Sequence, residues 1–309
     1  MRLFRHGPPA LERPGLFDGS GGMRDLSSVI SDFDAGTLSP QGLARLAALD
    51  ARSLPLLPEG TRFGACTAHP GKIICVGLNY TSTMIELGVP HPEAPSIAIK
   101  PSSALAGPDD DITLPHGSTA TDWEVELAAV IGTYAKHVSP QRALGHVAGY
   151  CLANDLSERD HQRHHGGESV KGRGHDGFAR LGPWMVTADE IPDPQDIDLW
   201  LEIDGIRIQQ ASTSDMLWPV AELIAHVSDY MALEPGDVIQ TGTPAGIGIA
   251  QKPPRFLREG NLVSLGGTGL GEQKCRVVRA CNPAQGKDVR EADDPIAKRL
   301  TRAEWGKTR

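Results

Sequence analysis

Asp122-Trp123-Glu124-Val125-Glu126-Leu127-Ala128-Ala129-Val130-Ile131-Gly132 is the stretch of the chain that decides its fold. Its apolar residues predict a buried β-strand. Side chains at positions i and i+2 of a strand point to the same face, so we expect Glu124 and Glu126 to lie side by side. Such a pair repels unless a proton, a basic group or a cation lies between the carboxylates, which indicates a site for a hard divalent ion. The solvated face of a half-exposed strand is the competing interpretation, and the pattern alone leaves both open.

Polar residues further along the chain add to this candidate site. A second predicted strand ends at Asp155, whose carboxylate would supply a third oxygen. The next segment is predicted to be helical, and its i, i+3 spacing places Arg159 and Gln162 on one face. The stretch Lys171-Gly172-Arg173-Gly174-His175-Asp176-Gly177-Phe178 is predicted to be a glycine-rich basic loop. Such a loop brings backbone close to a ligand while its cations hold an anion.

A candidate lid precedes the acidic strand. Residues 72–80 predict a buried strand that ends in a polar turn, and Ser96-Ile97-Ala98-Ile99-Lys100 predicts a second strand that ends in a lysine. The residues between them, 81–95, are predicted to form a loop or a short helix. A connection of this length between buried strands is typical of a lid, although an ordinary surface excursion would have the same pattern.

The remaining patterns define the fold class and the domain boundaries. Asp204-Gly205 between two apolar runs predicts a β-hairpin, and residues 214–232 favour an amphipathic helix. Together these patterns predict an α+β, mostly β fold. We expect a small N-terminal domain at 1–68, a large domain at 69–285 and a charged C-terminal tail at 286–309.

Bulk properties exclude several classes of function. The 309 residues carry a formal charge of -9, from 30 basic and 39 acidic side chains, which argues against nucleic acid and anionic membranes as partners. The five cysteines are scattered and form no C-x-x-C pair, which indicates reduced thiols and argues against structural zinc. No signal-peptide core or 18-residue apolar segment is present, so we expect a cytoplasmic protein that does not span a membrane.

Other kinds of site have weaker support in the sequence. The histidines His161, His164 and His165 invite a zinc interpretation, but without the i, i+4 spacing around a glutamate they favour a solvated helix end. Neither G-x-S-x-G nor G-x-G-x-x-G occurs, so serine-hydrolase and dinucleotide-binding interpretations have no support.

Several motifs, taken together and in sequence order, resemble the fumarylacetoacetate hydrolase family, over about residues 70–280. The motifs are Lys72–Tyr80, Asp122–Gly132, Asn154–Gln162, Gly182–Thr187, Pro235–Ile239 and Thr241–Pro244. Within that family, three further segments resemble the branch of ureidoglycolate lyases and diketo-deoxy-sugar-acid hydrolases. These segments are Ser157–Arg159, Lys171–Gly174 and Gln251–Pro254.

The resemblance implies a fold, a metal and a class of substrate. It implies a mixed β-roll core, a small N-terminal domain and a homodimer. It also implies Mg²⁺ or Mn²⁺, with Ca²⁺ as a further candidate, held by Glu124, Glu126 and Asp155. The expected substrate is an anionic 2-oxo acid or acylpyruvate that chelates the ion. The residues expected to bind it are Tyr80, Lys100, Arg159, Gln162, Lys171 and Thr243.

Two positions depart from the family pattern. Hydrolytic members carry a histidine three residues before a glutamate in the lid; here Glu86 is present but Thr83 replaces the histidine. Threonine does not act as a general base near neutral pH, and loss of such a base removes about 10²–10⁴-fold in rate. Arg173 stands where an active-site lysine is expected, and arginine binds a carboxylate but stays protonated. Glu86, Thr83 and Arg173 are therefore the candidate catalytic residues.

Three functions remain open at this level. The favoured one is a metal-dependent hydrolase that cleaves a C–C bond of an acylpyruvate or diketo acid, with Glu86, His91 or His175 activating water. The second is a decarboxylase, tautomerase or lyase of a 2-oxo acid, whose enolate chemistry needs no activated water. The third is a catalytically weakened member that binds a metal and an oxo acid in an accessory role.

Overall fold

The computed structural model describes residues 1–164, 166–167 and 169–280 of the chain. The predicted charged tail at 286–309, together with His165 and Cys281, lies outside the described residues.

The described chain consists mainly of short strands. The strands are β1 (Arg2–His6), β2 (Arg13–Phe17), β3 (Met23–Asp25), β4 (Ile73–Gly77), β5 (Ser96–Lys100), β6 (Leu105–Ala106), β7 (Ile112–Leu114), β8 (Thr121–Asp122), β9 (Val125–Ile131), β10 (Val147–Asp155), β11 (Ser157–Glu158), β12 (Ala179–Leu181), β13 (Met185–Thr187), β14 (Asp198–Ile203), β15 (Ile206–Ser212), β16 (Val238–Gln240), β17 (Leu262–Gly267) and β18 (Gly271–Arg279). The α-helices are α1 (Ala35–Leu38), α2 (Pro40–Ala47), α3 (Thr81–Leu87), α4 (Pro140–Ala143), α5 (Arg159–His164), α6 (Ser169–Arg173) and α7 (Val220–Tyr230). Single 3₁₀ turns lie at Ala51–Ser53, Ser102–Ala104, Leu144–His146, Ala188–Glu190, Thr213–Asp215 and Gly248–Ala250.

A large mixed sheet carries the acidic strand at its centre. Its main path runs β3-β2-β1-β13-β10-β9-β16-β4-β5, and β12 and β6 branch from β10. All seven residues of β9 are buried, since alternate side chains enter different apolar clusters on the two faces of the sheet. Val125 and Leu127 enter one cluster, and Ala128 and Val130 enter the other. A strand covered on both faces explains a nearly continuous apolar run interrupted by Glu126.

A second sheet packs against one of these faces. Its order is β15-β14-β17-β18-β7 among the described strands. The hairpin predicted at Asp204-Gly205 is confirmed: β14 and β15 pair antiparallel, and the two turn residues have φ angles of 54° and 77°. Such left-handed angles are what a two-residue hairpin turn requires. Buried side chains of β14 and of α7 share the apolar cluster that covers this face of β9.

The first 68 residues attach to the edge of the large sheet. Strand β1 pairs antiparallel with β13, with Leu3 opposite Met185, and β2 and β3 continue outward. Helix α2 begins after Ser39, whose side chain accepts a hydrogen bond from the Gly42 amide, and Pro40 occupies the first helical position. The boundary of a small N-terminal domain at residue 68 stays a prediction.

The local predictions around the site are mostly confirmed, with two corrections. The helix predicted after Asp155 begins only at Arg159, because Ser157 and Glu158 pair with β8 as strand β11. Helix α3 is the short helix expected within residues 81–95, and β5 has the predicted bounds. The basic stretch from Lys171 was predicted to be a loop, and this is wrong for its first three residues, which belong to α6. Gly172 accounts for the difference, because a Cβ there would lie 2.6 Å from the Glu158 carbonyl oxygen and from the Gln162 Cβ. This glycine lets α6 pack tightly against α5.

Four of the five cysteines lie within the described residues. Cys66, Cys75, Cys151 and Cys275 are buried free thiols. None of the described helices has the length and apolar content needed to cross a bilayer.

Candidate metal centre

Three carboxylates converge where β9 and β10 pair. Glu126 lies opposite Ala153 in the antiparallel register, and the Asp155 amide donates to the Glu124 carbonyl oxygen at 2.9 Å. This register places Asp155 across from Glu124 and diagonal to Glu126, on one face of the sheet. One ligand oxygen from each residue lies within 4.8 Å of the others, and all three residues are buried. The pair on β9 therefore lies side by side, as its spacing predicts.

Two arginines contact this cluster. Arg159 donates from Nε to Asp122 at 2.9 Å and from Nη2 to Glu124. Arg173 donates from Nη1 to Asp155, and its Nη2 lies 3.6 Å from Glu124. Burial would lower the pKa of both guanidiniums, but the adjacent carboxylates outweigh it and raise the pKa of each. Both arginines therefore stay charged.

Lys100 lies beneath the cluster, fully buried. Its ammonium contacts Asp155 Oδ1 but donates its hydrogen bonds to the carbonyl oxygens of Leu156 and Phe178. Asp155 Oδ1 is therefore buried in direct ionic contact with this ammonium. Burial alone would raise the pKa of Asp155, yet Arg173 and Lys100 outweigh burial and lower it.

Glu126 is the member of the cluster that lacks a cationic partner. Its Oε2 accepts a hydrogen bond from the Gly242 amide at 2.9 Å, and no ion pair within 4.0 Å joins it to another described residue. Burial, Asp155 and Glu124 raise its pKa well above the usual range. A divalent ion among the three carboxylates would supply the missing positive charge, and carboxylate oxygens are ligands that Mg²⁺ and Mn²⁺ prefer. The donor set therefore fits such an ion.

The charge balance of the site depends on that ion. Its ionisable groups are four carboxylates (Asp122, Glu124, Glu126, Asp155) and three cations (Lys100, Arg159, Arg173). With every group ionised, the cluster has one excess negative charge. A bound divalent ion would reverse this to one excess positive charge, which favours an anionic ligand.

A cavity of about 430 Å³ opens above the cluster. This volume lies in the range of small-molecule sites. The predicted site residues that line it are Thr83, Glu124, Glu126, Arg159, Gln162, Arg173 and Thr243.

The other predicted substrate-binding residues lie outside the cavity wall. Lys100 contacts Asp155 from below, as described above. Tyr80 is buried at the start of α3, its hydroxyl has no hydrogen-bond partner among the described residues, and burial raises its pKa well above the usual range. Lys171 is exposed on α6. Their roles toward a substrate stay predictions.

The predicted lid, helix α3, is hydrogen-bonded to the loop that follows β16. We call residues 241–249 the site loop. The Thr83 hydroxyl donates to the Thr243 carbonyl oxygen at 2.7 Å, and Glu86 Oε2 accepts from the Gly246 amide at 2.8 Å. Glu86 thus binds the site loop rather than lining the cavity.

The histidines considered as water-activating bases lie elsewhere. No histidine of the described chain lines the cavity. His91 is exposed in the connection after α3. His175 Nε2 lies 3.1 Å from His161 Nδ1, and burial lowers the pKa of His175.

Two variants of Glu86 test whether its carboxylate holds helix α3 against the site loop or acts as a catalytic base. Glu86→Gln keeps an oxygen that accepts from the Gly246 amide, whereas Glu86→Ala loses it. We expect backbone amides of α3 to exchange hydrogen about 5-fold faster in Glu86→Ala, from loss of roughly 1 kcal/mol, and to be unchanged in Glu86→Gln. Hydrogen exchange followed by mass spectrometry gives both rates. If the α3 amides of Glu86→Ala exchange as slowly as those of the native protein, Glu86 does not hold the helix in place. If Glu86→Gln is inactive while its α3 amides exchange at the native rate, Glu86 has a catalytic role.

Asp122 is a functional candidate that the sequence prediction did not assign. Its Oδ1 accepts from the amides of Trp123 (2.9 Å) and Gly248 (2.6 Å), and its Oδ2 accepts from Ile249 N (3.1 Å) and Arg159 Nε (2.9 Å). This fully buried carboxylate ties the site loop to the arginine that contacts Glu124. The sequence feature that could have identified Asp122 is its position two residues before Glu124.

Asp122→Asn should misplace Arg159. Either orientation of the asparagine amide would point its NH₂ group at two donors, which leaves buried donors unpaired. We expect the affinity for an oxo acid to fall by about 10-fold or more and unfolding to require about 1–3 kcal/mol less free energy. Calorimetric titration and denaturant unfolding measure the two effects. The control is Asp193→Asn, since Asp193 is exposed and accepts from the Gln195 amide in a surface turn.

Gln209 is a second residue that the sequence prediction missed. Its Nε2 donates to Thr243 Oγ1 at 2.9 Å and to the Pro244 carbonyl oxygen at 2.8 Å, and its Oε1 accepts from the Val125 amide. It comes from β15 of the other sheet, and no pattern in the sequence connects it with the site. Gln209 fixes Thr243 beside the cavity.

The site consists of a buried carboxylate triad with charged side chains beside it and a small cavity above it. Such a site is typical of a metal-dependent enzyme that acts on anionic small molecules. The chain belongs to the fumarylacetoacetate hydrolase family: the model "Fumarylacetoacetate (FAA) hydrolase C-terminal" matches residues 72–278. This confirms the predicted family and its α+β, mostly β fold. Assignment to the ureidoglycolate lyase and diketo-deoxy-sugar-acid hydrolase branch stays a prediction.

Relatives within the family include hydrolases and isomerases. A protein of Burkholderia cenocepacia, named provisionally as a hydrolase, is 52% identical over 274 residues, covering 88% of this chain and 97% of the relative. The crystal structure of 5-carboxymethyl-2-hydroxymuconate delta-isomerase from Mycobacterium smegmatis is 34% identical, with a TM-score of 0.72. Maleylpyruvate hydrolase from Sphingobium sp. SYK-6, solved with manganese(II) and pyruvate, is 27% identical, with a TM-score of 0.75. Each of the two alignments covers 91% of this chain and 100% of the solved chain.

Proposed function

We propose that this protein is a divalent-metal-dependent enzyme that acts on an anionic 2-oxo acid through its enolate, by isomerisation or decarboxylation. The observation that carries the proposal is the cavity itself. Its lining brings Glu124 and Glu126 of the carboxylate triad together with two charged arginines, and no histidine of the described chain lines it. Enolate chemistry requires charge stabilisation at the substrate oxygen but no activated water.

The ion would be Mg²⁺ or Mn²⁺, held by Glu124, Glu126 and Asp155. When bound, it would act as a Lewis acid toward the oxo and carboxylate oxygens of the substrate. Arg159 and Arg173 line the cavity beside these ligands and orient the substrate carboxylate.

The remaining polar groups of the cavity have supporting roles in this proposal. Gln162 and Thr243 offer neutral hydrogen bonds to the substrate. Thr83 cannot take a proton from water near neutral pH, and its hydroxyl is already donated to the site loop.

Hydrolysis of a C–C bond in an acylpyruvate or diketo acid is the second candidate. The likeness to maleylpyruvate hydrolase and to the provisionally named Burkholderia hydrolases favours it. In this reaction Glu86 would have to leave the Gly246 amide and reach the cavity to activate water. The two candidates share the same metal site and differ in that movement.

An ultraviolet assay of the Mg²⁺-loaded protein against oxaloacetate and acetylpyruvate tests the proposal, with EDTA controls. Metal-dependent turnover of oxaloacetate alone supports enolate chemistry without water activation. Release of pyruvate and acetate from acetylpyruvate establishes the hydrolase instead. If neither acid is turned over and neither binds the loaded protein, the proposed function is wrong.

A further inference from the structure

The lining of the cavity combines charged and apolar side chains. The charged groups are those described above. The apolar part, which we call the apolar wall, is formed by Val76, Leu78, Leu87, Ile97, Ile247 and Ile249. A ligand in this cavity therefore meets aliphatic side chains as well as charges.

The apolar wall is assembled from separate parts of the chain. Leu78 follows β4, Leu87 ends the lid helix α3, Ile97 lies in β5, and Ile249 belongs to the site loop. These four side chains are partly exposed to solvent in the cavity. Apolar surface gathered from four segments and left open to water is typical of a surface that binds a ligand.

Leu78 adds an independent observation. Its φ angle is 54°, in the left-handed region that bulky side chains rarely adopt, and its side chain is 37% exposed. Backbone conformations of this kind persist where the surrounding structure enforces them, and they cluster at binding sites. Here the conformation keeps a leucine in the cavity wall.

The cations that line the cavity offer little positive charge to a second carboxylate of a substrate. Arg159 and Arg173 are paired with carboxylates of the metal cluster and, on the proposed function, also hold the first carboxylate of the substrate. Arg163 lines the rim on an exposed turn of α5, where water screens its charge. A second carboxylate directed at the wall would lose its hydration without gaining a partner.

We propose that the substrate is a 2-oxo monocarboxylic acid with an uncharged apolar tail, and that the apolar wall selects this tail over one ending in a carboxylate. The inference rests on the proposed function for the charged end of the ligand. The tail contacts Leu87 of the lid helix, Ile97 and Ile249, which line the cavity. Its burial supplies binding free energy in proportion to the apolar area covered.

Calorimetric titration of the Mg²⁺-loaded protein tests this with two acids of equal chain length, 2-oxohexanoate and 2-oxoadipate. We expect 2-oxohexanoate to bind at least about 10-fold more tightly, since its terminal methyl contacts the wall while the second acid presents a carboxylate. Equal affinity, or tighter binding of 2-oxoadipate, overturns the inference. Binding is measured without turnover, so metal-dependent activity together with the wrong preference would refute the tail and leave the proposed function standing. If neither acid binds, both fail.

Substitutions on one helix provide a matched pair. Leu87→Lys places a cation in the cavity wall at the C-terminal end of α3, where a positive charge suits the helix dipole. We expect this variant to shift the preference toward 2-oxoadipate by at least about 10-fold. Ile85→Lys is the control, because Ile85 is 75% exposed on the same helix and does not line the cavity. An unchanged ratio in folded Leu87→Lys protein contradicts the assigned role of the wall.

Arg163→Gln tests the remaining alternative, in which the cation at the rim determines the specificity. If the wall selects the tail, removal of this rim cation leaves the affinity for 2-oxohexanoate unchanged. A wild-type preference for 2-oxoadipate that disappears in Arg163→Gln would assign specificity to the rim and would overturn the inference.

Discussion

Glu126→Gln is expected to abolish binding of Mg²⁺ and Mn²⁺ and, with it, any enolate chemistry. The glutamine removes the carboxylate that lacks a cationic partner in the described structure and leaves Glu124 and Asp155, which are already paired with arginines. Changes to residues around a metal typically weaken its binding by 10–100-fold, so for a direct ligand we expect a loss of at least about 100-fold. Titration calorimetry with Mg²⁺ and the spin-resonance signal of free Mn²⁺ measure this affinity.

The same variant should remain folded. A glutamine oxygen can still accept from the Gly242 amide, and the substitution removes a buried group crowded by two like charges. We therefore expect its melting temperature without metal to equal or exceed that of the native protein. Glu222→Gln, an exposed glutamate on α7, serves as the control and should bind metal normally. Activity of Glu126→Gln that survives in EDTA would show that the metal centre has been assigned wrongly.

Thr83→His is expected to increase hydrolysis of an acylpyruvate by at least about 10-fold if the lid lacks only its base. Thr83 lines the cavity from α3 and is buried, so an imidazole at this position would face the cavity. A histidine near neutral pH can accept the proton of an attacking water, which the threonine hydroxyl cannot. The rate of pyruvate release from acetylpyruvate measures the gain.

Thr83→Val is the matched control for this gain. It removes the hydrogen bond to the Thr243 carbonyl oxygen, as the histidine does, but introduces no base. We expect no increase in hydrolysis from it. Turnover of oxaloacetate, which needs no activated water, should respond little to either variant. An unchanged hydrolysis rate in Thr83→His would show that the lid is not the deficient part of the site.

The sequence was sufficient for the parts of the site that depend on local spacing. The i, i+2 rule places Glu124 and Glu126 on one face, whatever the rest of the fold does. The end of a buried strand supplies Asp155, and its position across from Glu124 follows from the pairing of β9 with β10. The hairpin at Asp204-Gly205 has an equally local cause. The resemblance to a family then named the metal that such a cluster would hold.

The parts that depend on distant contacts could not be predicted from the sequence. Gln209 reaches Thr243 from the second sheet, and no periodicity records that contact. Arg173 and Lys171 are two residues apart in one basic stretch, yet Arg173 pairs with Asp155 while Lys171 is exposed. Their difference arises from α6, whose helical geometry depends on packing against α5 through Gly172. Tertiary packing determines the positions of these two side chains. The composition of the stretch contains no information about that packing and therefore indicated a loop.

The excess charge of the site implies an order of events in solution. On the proposed assignment, the metal-free cluster has no net positive charge to attract an anionic acid, and a divalent ion supplies it. Addition should therefore be ordered, with the ion first and the acid second, and the acid should trap the ion by covering its route of escape. Saturating 2-oxo acid should then slow the rate at which EDTA strips the protein, whereas the same acid added to stripped protein should not bind. The enzyme would respond to the free concentrations of both components in sequence rather than to a preformed chelate.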